Sequence, residues 1–304
     1  EILNAVRPTI YKLMRYLEIP NSYFPIHGDC LTYVKALVGM EQFDEAFYVL
    51  ARINLAKLDE FGFREFSEAS LDLAGKMIIA NPKSAKTARA LLQRVQIRND
   101  SGDHASYLKL ANSLREKGLF NEAISEYARL SPIVSKTLNS PHQTVLELWP
   151  VYCYIKLYET YIAYAARDKR YAQAANKMLN TALEALKKIE EEPPARQTNE
   201  YSLYKLIRSL VRIQYARLFE TAGDADKSAV YYRQSVLEVT EGIVNARVGL
   251  EWLPESLMMA ADAYEKLELH DAARNVYKQV KIFYKSTKWE QASDDRMAKL
   301  PPPA

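Results

Sequence analysis

The chain has 304 residues, 48% of them hydrophobic, which is enough to bury a sizeable core and excludes a disordered polymer. Its 41 Lys and Arg residues face 38 Asp and Glu, a formal charge of +3 without any concentrated basic block, so the charge demands neither nucleic acid nor an acidic membrane. No run approaches the roughly 18 apolar residues of a membrane span, and direct membrane insertion is not expected.

Residues 1–28 open with EILNAVRPTIYKLMRYLEIP, charged throughout, and read as an N-terminal helical segment with neither signal peptide nor anchor. The chain begins at a glutamate, so an export signal removed from it stays open: the expected location is cytoplasmic, or bacterial periplasmic or envelope-associated if such a signal has been lost. From residue 30 to 53, an amphipathic pattern sets Phe43 three residues before Ala46, with Leu50 four beyond. FREFSEASLDLAGKMIIANP and SAKTARALLQRVQI then read as a further, degenerate helical pair.

The clearest pattern follows. Tyr107, Leu110, Ala111 and Leu114 fall at i, i+3, i+4 and i+7, and beyond Gly118 the series Phe120, Ala123, Ile124, Tyr127 repeats that spacing. Glycine has no Cβ to clash in the left-handed conformation that ends a helix, so Gly118 predicts a turn between two amphipathic helices, an antiparallel hairpin. Residues 158–179 carry the register as Tyr171, Ala174 and Met178; residues 212–236 as Gly223, Ser228 and Tyr232; residues 257–280 as Ala261, Tyr264, Ala273 and Tyr277. EEEPPARQTNE, residues 190–200, is either a loop inside one array or a boundary between two, the loop being favoured. The end runs as a helix to about Lys285 and then as a second amphipathic stretch through Trp289, Ala292, Met297 and Leu300.

Proline punctuates this pattern at Asn81-Pro82, Ser131-Pro132, Trp149-Pro150, Glu192-Pro193 and Leu253-Pro254, where its missing N–H and ring clash are expected to stop helices. Alternating strands with Asn-Gly or Asp-Gly turns are absent. The expectation is an all-α chain of about 12–14 helices. Cys30 and Cys153 are too few for a disulfide framework, and read as two buried thiols or one isolated bridge.

The repeated register resembles the tetratricopeptide repeat, in which a small residue and an aromatic on one helix meet small, aromatic, small on the next. Small residues at the crossing let two backbones approach while larger ones fill the groove beside them. The best copy is Leu110, Ala111, Gly118, Phe120, Ala123 and Tyr127 with Pro132 after the second helix. Ala46, Ala123, Ala174, Ser228 and Ala273 lie 77, 51, 54 and 45 residues apart, wider than the repeat's roughly 34. Since one hairpin cannot bury its own apolar face, the copies are expected to stack into an α-α superhelix with a concave and a convex wall. The division is 1–28, then repeats over 29–192 and 193–304 with a C-terminal capping helix, one continuous superhelix being favoured. The Lys288-Trp289 ending is similar to the last helix of bacterial envelope repeat proteins, which covers the exposed core of the array.

What the resemblance implies is a non-enzymatic scaffold or adaptor that binds a protein or peptide; the alternative is a structural subunit of a bacterial envelope assembly, binding through outer surfaces. Two sets of residues are candidates for partner contact. Tyr154, Tyr158, Tyr161 and Ala165 form a stripe, with Tyr164 beside it, in the tyrosine-rich stretch 152–171, and the tyrosines are read either as an aromatic groove wall or as interhelix packing with hydroxyls reaching water. Peptide-binding members of the family hold a terminal carboxylate with Lys, Arg and Asn, and that register falls on Lys35, Asn112, Arg115 and Arg217 without supplying a full set in consecutive copies. His27, His104, His142 and His270 have no partner at metal-ligand spacing, and no phosphate-cradling or nucleophile-elbow motif occurs, so no metal, cofactor or catalytic residue is expected. Unequal repeats and near-neutral charge also argue against base-per-repeat RNA reading.

Overall fold

A computed structural model describes residues 27–81, 84–99, 104–134, 142–165, 167–246 and 250–302. The expected N-terminal segment therefore lies, up to Ile26, outside the described residues, as does Pro82. Thirteen α-helices and no strand are present among the described residues. The chain divides into two compact units, Glu1–Leu119 and Phe120–Ala304.

The first unit contains α1 (His27–Gly39), α2 (Phe43–Arg52), a single 3-10 turn (Leu55–Lys57), α3 (Glu60–Ala80), α4 (Ala85–Asn99) and α5 (His104–Glu116). α1 packs on α2 and α3 on α4, with α3 bridging the pairs and touching α5. Val34, Leu37, Leu50, Phe66, Leu73 and Leu91 fill the core, each contributing about 1.5–3 kcal/mol when fully buried. The turn into α3 is built from two side-chain caps: Asn54 accepts from the Ala56 N–H at 3.1 Å and Asp59 from the Gly62 N–H at 2.7 Å. Arg94 of α4 donates to the Leu50 and Ile53 carbonyls at 2.6 and 2.5 Å, capping the open end of α2 from a neighbouring helix.

The second unit contains α6 (Phe120–Val134), α7 (His142–Ala165), α8 (Arg170–Glu191), α9 (Asn199–Thr221), α10 (Ala225–Val244), α11 (Leu253–Lys266), α12 (His270–Phe283) and α13 (Lys288–Met297). α7–α8, α9–α10 and α11–α12 pack as neighbouring pairs, α6 lies on α7, α10 on α11, and α13 on α12. This pairwise packing is compatible with an α-α superhelix. The connection through 192–198 lies inside this unit. At its end Met258, Ala261, Ala273, Tyr277, Val280 and Leu300 form an apolar cluster, over which Trp289, Ala292 and Met297 of α13 pack.

Four turns share one geometry. Gly118 has φ 75°, its N–H bonds to the Arg115 carbonyl at 3.0 Å, and the Leu119 N–H reaches back to Leu114 at 2.9 Å. Gly223 repeats this at φ 79°, with Asp224 reaching Phe219 at 2.9 Å. Glu41 and Glu268 adopt the same left-handed conformation at φ 59° and 62°, with Gln42 reaching Leu37 and Leu269 reaching Tyr264, each at 2.9 Å. These paired backbone bonds satisfy the carbonyls left open at a helix end. Five residues beyond each left-handed residue lies a buried small one, Ala46, Ala123, Ser228 and Ala273, and nine beyond lie Leu50, Tyr127, Tyr232 and Tyr277, all buried.

Two expectations are corrected. Pro132 and Pro150 lie inside α6 and α7 instead of ending them. Pro132 falls in the last turn, and Pro150 sits beside fully buried Leu148, Trp149 and Val151, whose burial offsets the roughly 3 kcal/mol of a helix-interior proline. On α8 the buried small residue is Ala175, not Ala174, in a stripe continued by Leu179, Ala182, Leu186 and Ile189. Cys153 is buried and Cys30 half-buried.

Candidate functional site

In the second unit α7, α9, α11 and α13 turn one face each toward a concavity of about 670 Å3, to which α10 adds Tyr232. α11 supplies the largest share. Its residues 255, 259, 262 and 266 recur at helical spacing, while Ala260, Ala261 and Ala263 are buried and let it lie close to its neighbours. Glu255, Asp262, Glu265 and Lys266, every charged residue of α11, line the cavity. The floor is apolar: Leu210 and Ile213 from α9, Met258 and Met259 from α11, Trp289 and Ala292 from α13.

The walls are cross-linked by ion pairs between helices. Lys156 of α7 lies 3.0 Å from Glu255 of α11 and 3.3 Å from Glu159 one turn on. The Tyr152 hydroxyl donates to Glu255 at 2.9 Å, and the Trp149 and Trp252 rings meet edge to face at 5.7 Å, so α7 and α11 are joined directly. Arg217 and Gln214 of α9 donate to Glu159 at 3.0 and 2.9 Å. Lys266 of α11 pairs with Glu220 of α9 at 2.7 Å, and Glu220 also accepts from Tyr232 at 3.1 Å. Arg296 of α13 approaches Asp262 at 3.4 Å, while Tyr277 of α12 donates to Asp262 at 2.5 Å and lies 3.2 Å from Glu265.

These contacts set the protonation states. Burial disfavours charge on Lys156, yet Glu255 and Glu159 more than offset it and hold its ammonium above the ordinary lysine value. Burial likewise opposes the Glu159 carboxylate, and Lys156 and Arg217 overcome it, holding that carboxyl below its usual range. Asp262 goes the other way: burial dominates over the Tyr277 hydrogen bond and Arg296 and pushes it up. Burial together with Glu220 pushes the Tyr232 phenol up to about 12. The result is a concave surface with an apolar floor and charged walls whose cations are all paired.

Of the eight residues singled out in the sequence, only Arg217 lines this cavity. The tyrosine stripe turns elsewhere. Tyr158 is buried in a cluster with Ala175 and Leu179 of α8, flanked by Tyr161, and the Tyr161 and Tyr164 rings meet Tyr171 in tilted contacts at 6.0 and 5.5 Å. Tyr154 is half-buried and Tyr164 exposed. Lys35 lies exposed on α1, 3.8 Å from Glu65. Asn112 is half-buried and Arg115 buried on α5, the latter 3.7 Å from Glu116.

The charged wall was missed, although the same tyrosine-rich stretch held the signal. Lys156 and Glu159 are the sole charged residues from Trp149 to Ala165. In so apolar a stretch an isolated pair of charges one turn apart marks a place where polar partners are needed. Among the described residues no group of three or more His, Cys, Asp or Glu is arranged to hold a metal, and no helix is long and apolar enough to cross a membrane. Compared with known proteins, the chain matches no family model and no curated sequence.

Proposed function

We propose that the protein is a non-enzymatic scaffold or adaptor of tetratricopeptide-like construction, and that the concavity of the second unit holds a segment of a partner protein. One observation carries this reading: the cavity of about 670 Å3 is lined chiefly by α7, α9 and α11, the first helices of successive hairpins, together with α13, and combines apolar with charged side chains. Such a surface offers apolar anchoring at its base and polar specificity at its rim, the layout of protein-binding sites. The cross-wall ion pairs hold the groove open in one shape, which lowers the ordering cost of association. The test compares capture of partner proteins by the wild type, by Arg217→Glu with Lys266→Glu, and by Leu237→Asp on the exposed side of α10. Loss of the same partner from the groove variant alone supports the reading.

A second reading has an observation of its own. Val230, Leu237 and Val244 recur every seventh residue along α10 and are 45%, 71% and 78% exposed, an apolar stripe away from the cavity. It favours a structural subunit of an assembly, of the bacterial-envelope kind that the ending resembles, binding through outer surfaces. Loss of the partner from Leu237→Asp alone supports this alternative and opposes the groove.

A further inference from the structure

The charges of the groove are unequally engaged. Each cation lining it has a carboxylate within ion-pair distance: Lys156 has Glu255 and Glu159, Arg217 has Glu159, Lys266 has Glu220 and Arg296 has Asp262. The converse does not hold. Glu265 has no cation within ion-pair distance among the described residues, and its side chain meets the Tyr277 hydroxyl at 3.2 Å, whose single proton lies nearer to Asp262 at 2.5 Å. An anionic group entering the groove therefore competes with an internal carboxylate for each of these cations. A cationic group gains Glu265 without displacing anything.

The surroundings suit a long basic side chain in particular. Met258, Met259, Trp289 and Ala292 line the same cavity as Glu265. An aliphatic stem lies on such a floor while its charged head reaches the wall. We infer that the segment held by the groove carries a lysine or arginine next to an apolar residue, the cation seated on Glu265 and the apolar side chain on the floor formed by Met258 and Trp289. This deepens the groove reading and rests on it.

The experiment uses two ten-residue peptides, acetylated, amidated and fluorescein-labelled, one of leucine, alanine and lysine and the other with every lysine replaced by glutamate. Each carries a benzoyl-phenylalanine at its centre, and binding to the full chain is followed by anisotropy at physiological salt. The lysine peptide is expected to saturate and to crosslink to residues of the cavity. Glu265→Gln is expected to weaken it about tenfold, the scale of one charge-assisted contact. Glu184→Gln, on the exposed side of α8, is expected to leave it unchanged, with equal melting temperatures for both variants. Binding of the glutamate peptide inside the cavity as tightly as the lysine peptide, or indifference to Glu265→Gln, overturns the charge preference and leaves the groove standing. Crosslinks from either peptide that fall only outside the cavity overturn the groove itself.

Discussion

Lys156 of α7 and Glu255 of α11 meet at 3.0 Å although three helices separate them in the chain. With Tyr152 donating to the same carboxylate and Trp149 against Trp252, this contact closes α7 onto α11 and fixes the width of the cavity between them. Lys156→Met leaves two carboxylates facing each other in a largely buried place and is expected to cost about 2–3 kcal/mol. In a double-mutant cycle by urea denaturation, Lys156→Met with Glu255→Gln should be less destabilising than the sum of the single changes by about 1–2 kcal/mol. Strict additivity would mean that the contact does not hold the two helices.

Acid should act on the two groove carboxyls in opposite senses. Glu159 is held below its usual value in the folded chain, so its contribution is present above the unfolded value of about 4.3 and is lost as pH falls through the folded one. The advantage of the wild type over Glu159→Gln should accordingly shrink on acidification. Asp262 is pushed up, so the folded chain binds its proton more readily and gains stability from it as pH falls toward the unfolded value of about 3.9. Asp262→Asn should therefore compare more favourably with the wild type at pH 7 than at pH 4. Thermal melts across that range read both slopes.

The left-handed turns divide by residue. Glu41 and Glu268 carry a Cβ where Gly118 and Gly223 do not. Glu268→Gly is expected to stabilise the chain by about 0.5–1 kcal/mol, and Gly223→Ala to destabilise it by about 1–2 kcal/mol. Calorimetric melting temperatures moving in those two directions would establish the shared turn.

Adjacent alanines on α8 test the corrected register. Ala175→Leu should overpack the contact with Tyr158 and cost about 1–3 kcal/mol, whereas Ala174→Leu, half-exposed, should cost under about 1 kcal/mol. Chemical denaturation of the two variants separates them directly.

These cases also show how much was legible beforehand. The helices and two of the turns followed from period and glycine, since Gly118 and Gly223 are placed where only a missing Cβ is comfortable. The turns at Glu41 and Glu268 were hidden, because two backbone hydrogen bonds stabilise a conformation that glutamate does not announce. At Ala174-Ala175 either alanine fits a helical period, and burial was decided by Leu179 and Ala182, whose spacing favours the second. Of the tyrosines of α7, which drew attention by number, Tyr158 and Tyr161 pack on α8 while Tyr152 bonds to Glu255 of α11. Besides Arg217, the cavity was legible in residues that interrupt an apolar helix, Lys156 and Glu159, and its closure by Glu255 depends on a contact spanning about a hundred residues that no local pattern carries.

Whether the concavity of the second unit holds a partner is decided by placing benzoyl-phenylalanine in turn at Trp289, inside the cavity, and at Leu237, on the exposed side of α10, and mapping the crosslinked peptides by mass spectrometry. The expected result is one partner crosslinked from position 289 and none from position 237. A partner crosslinked from position 237 and absent from position 289 would contradict the account.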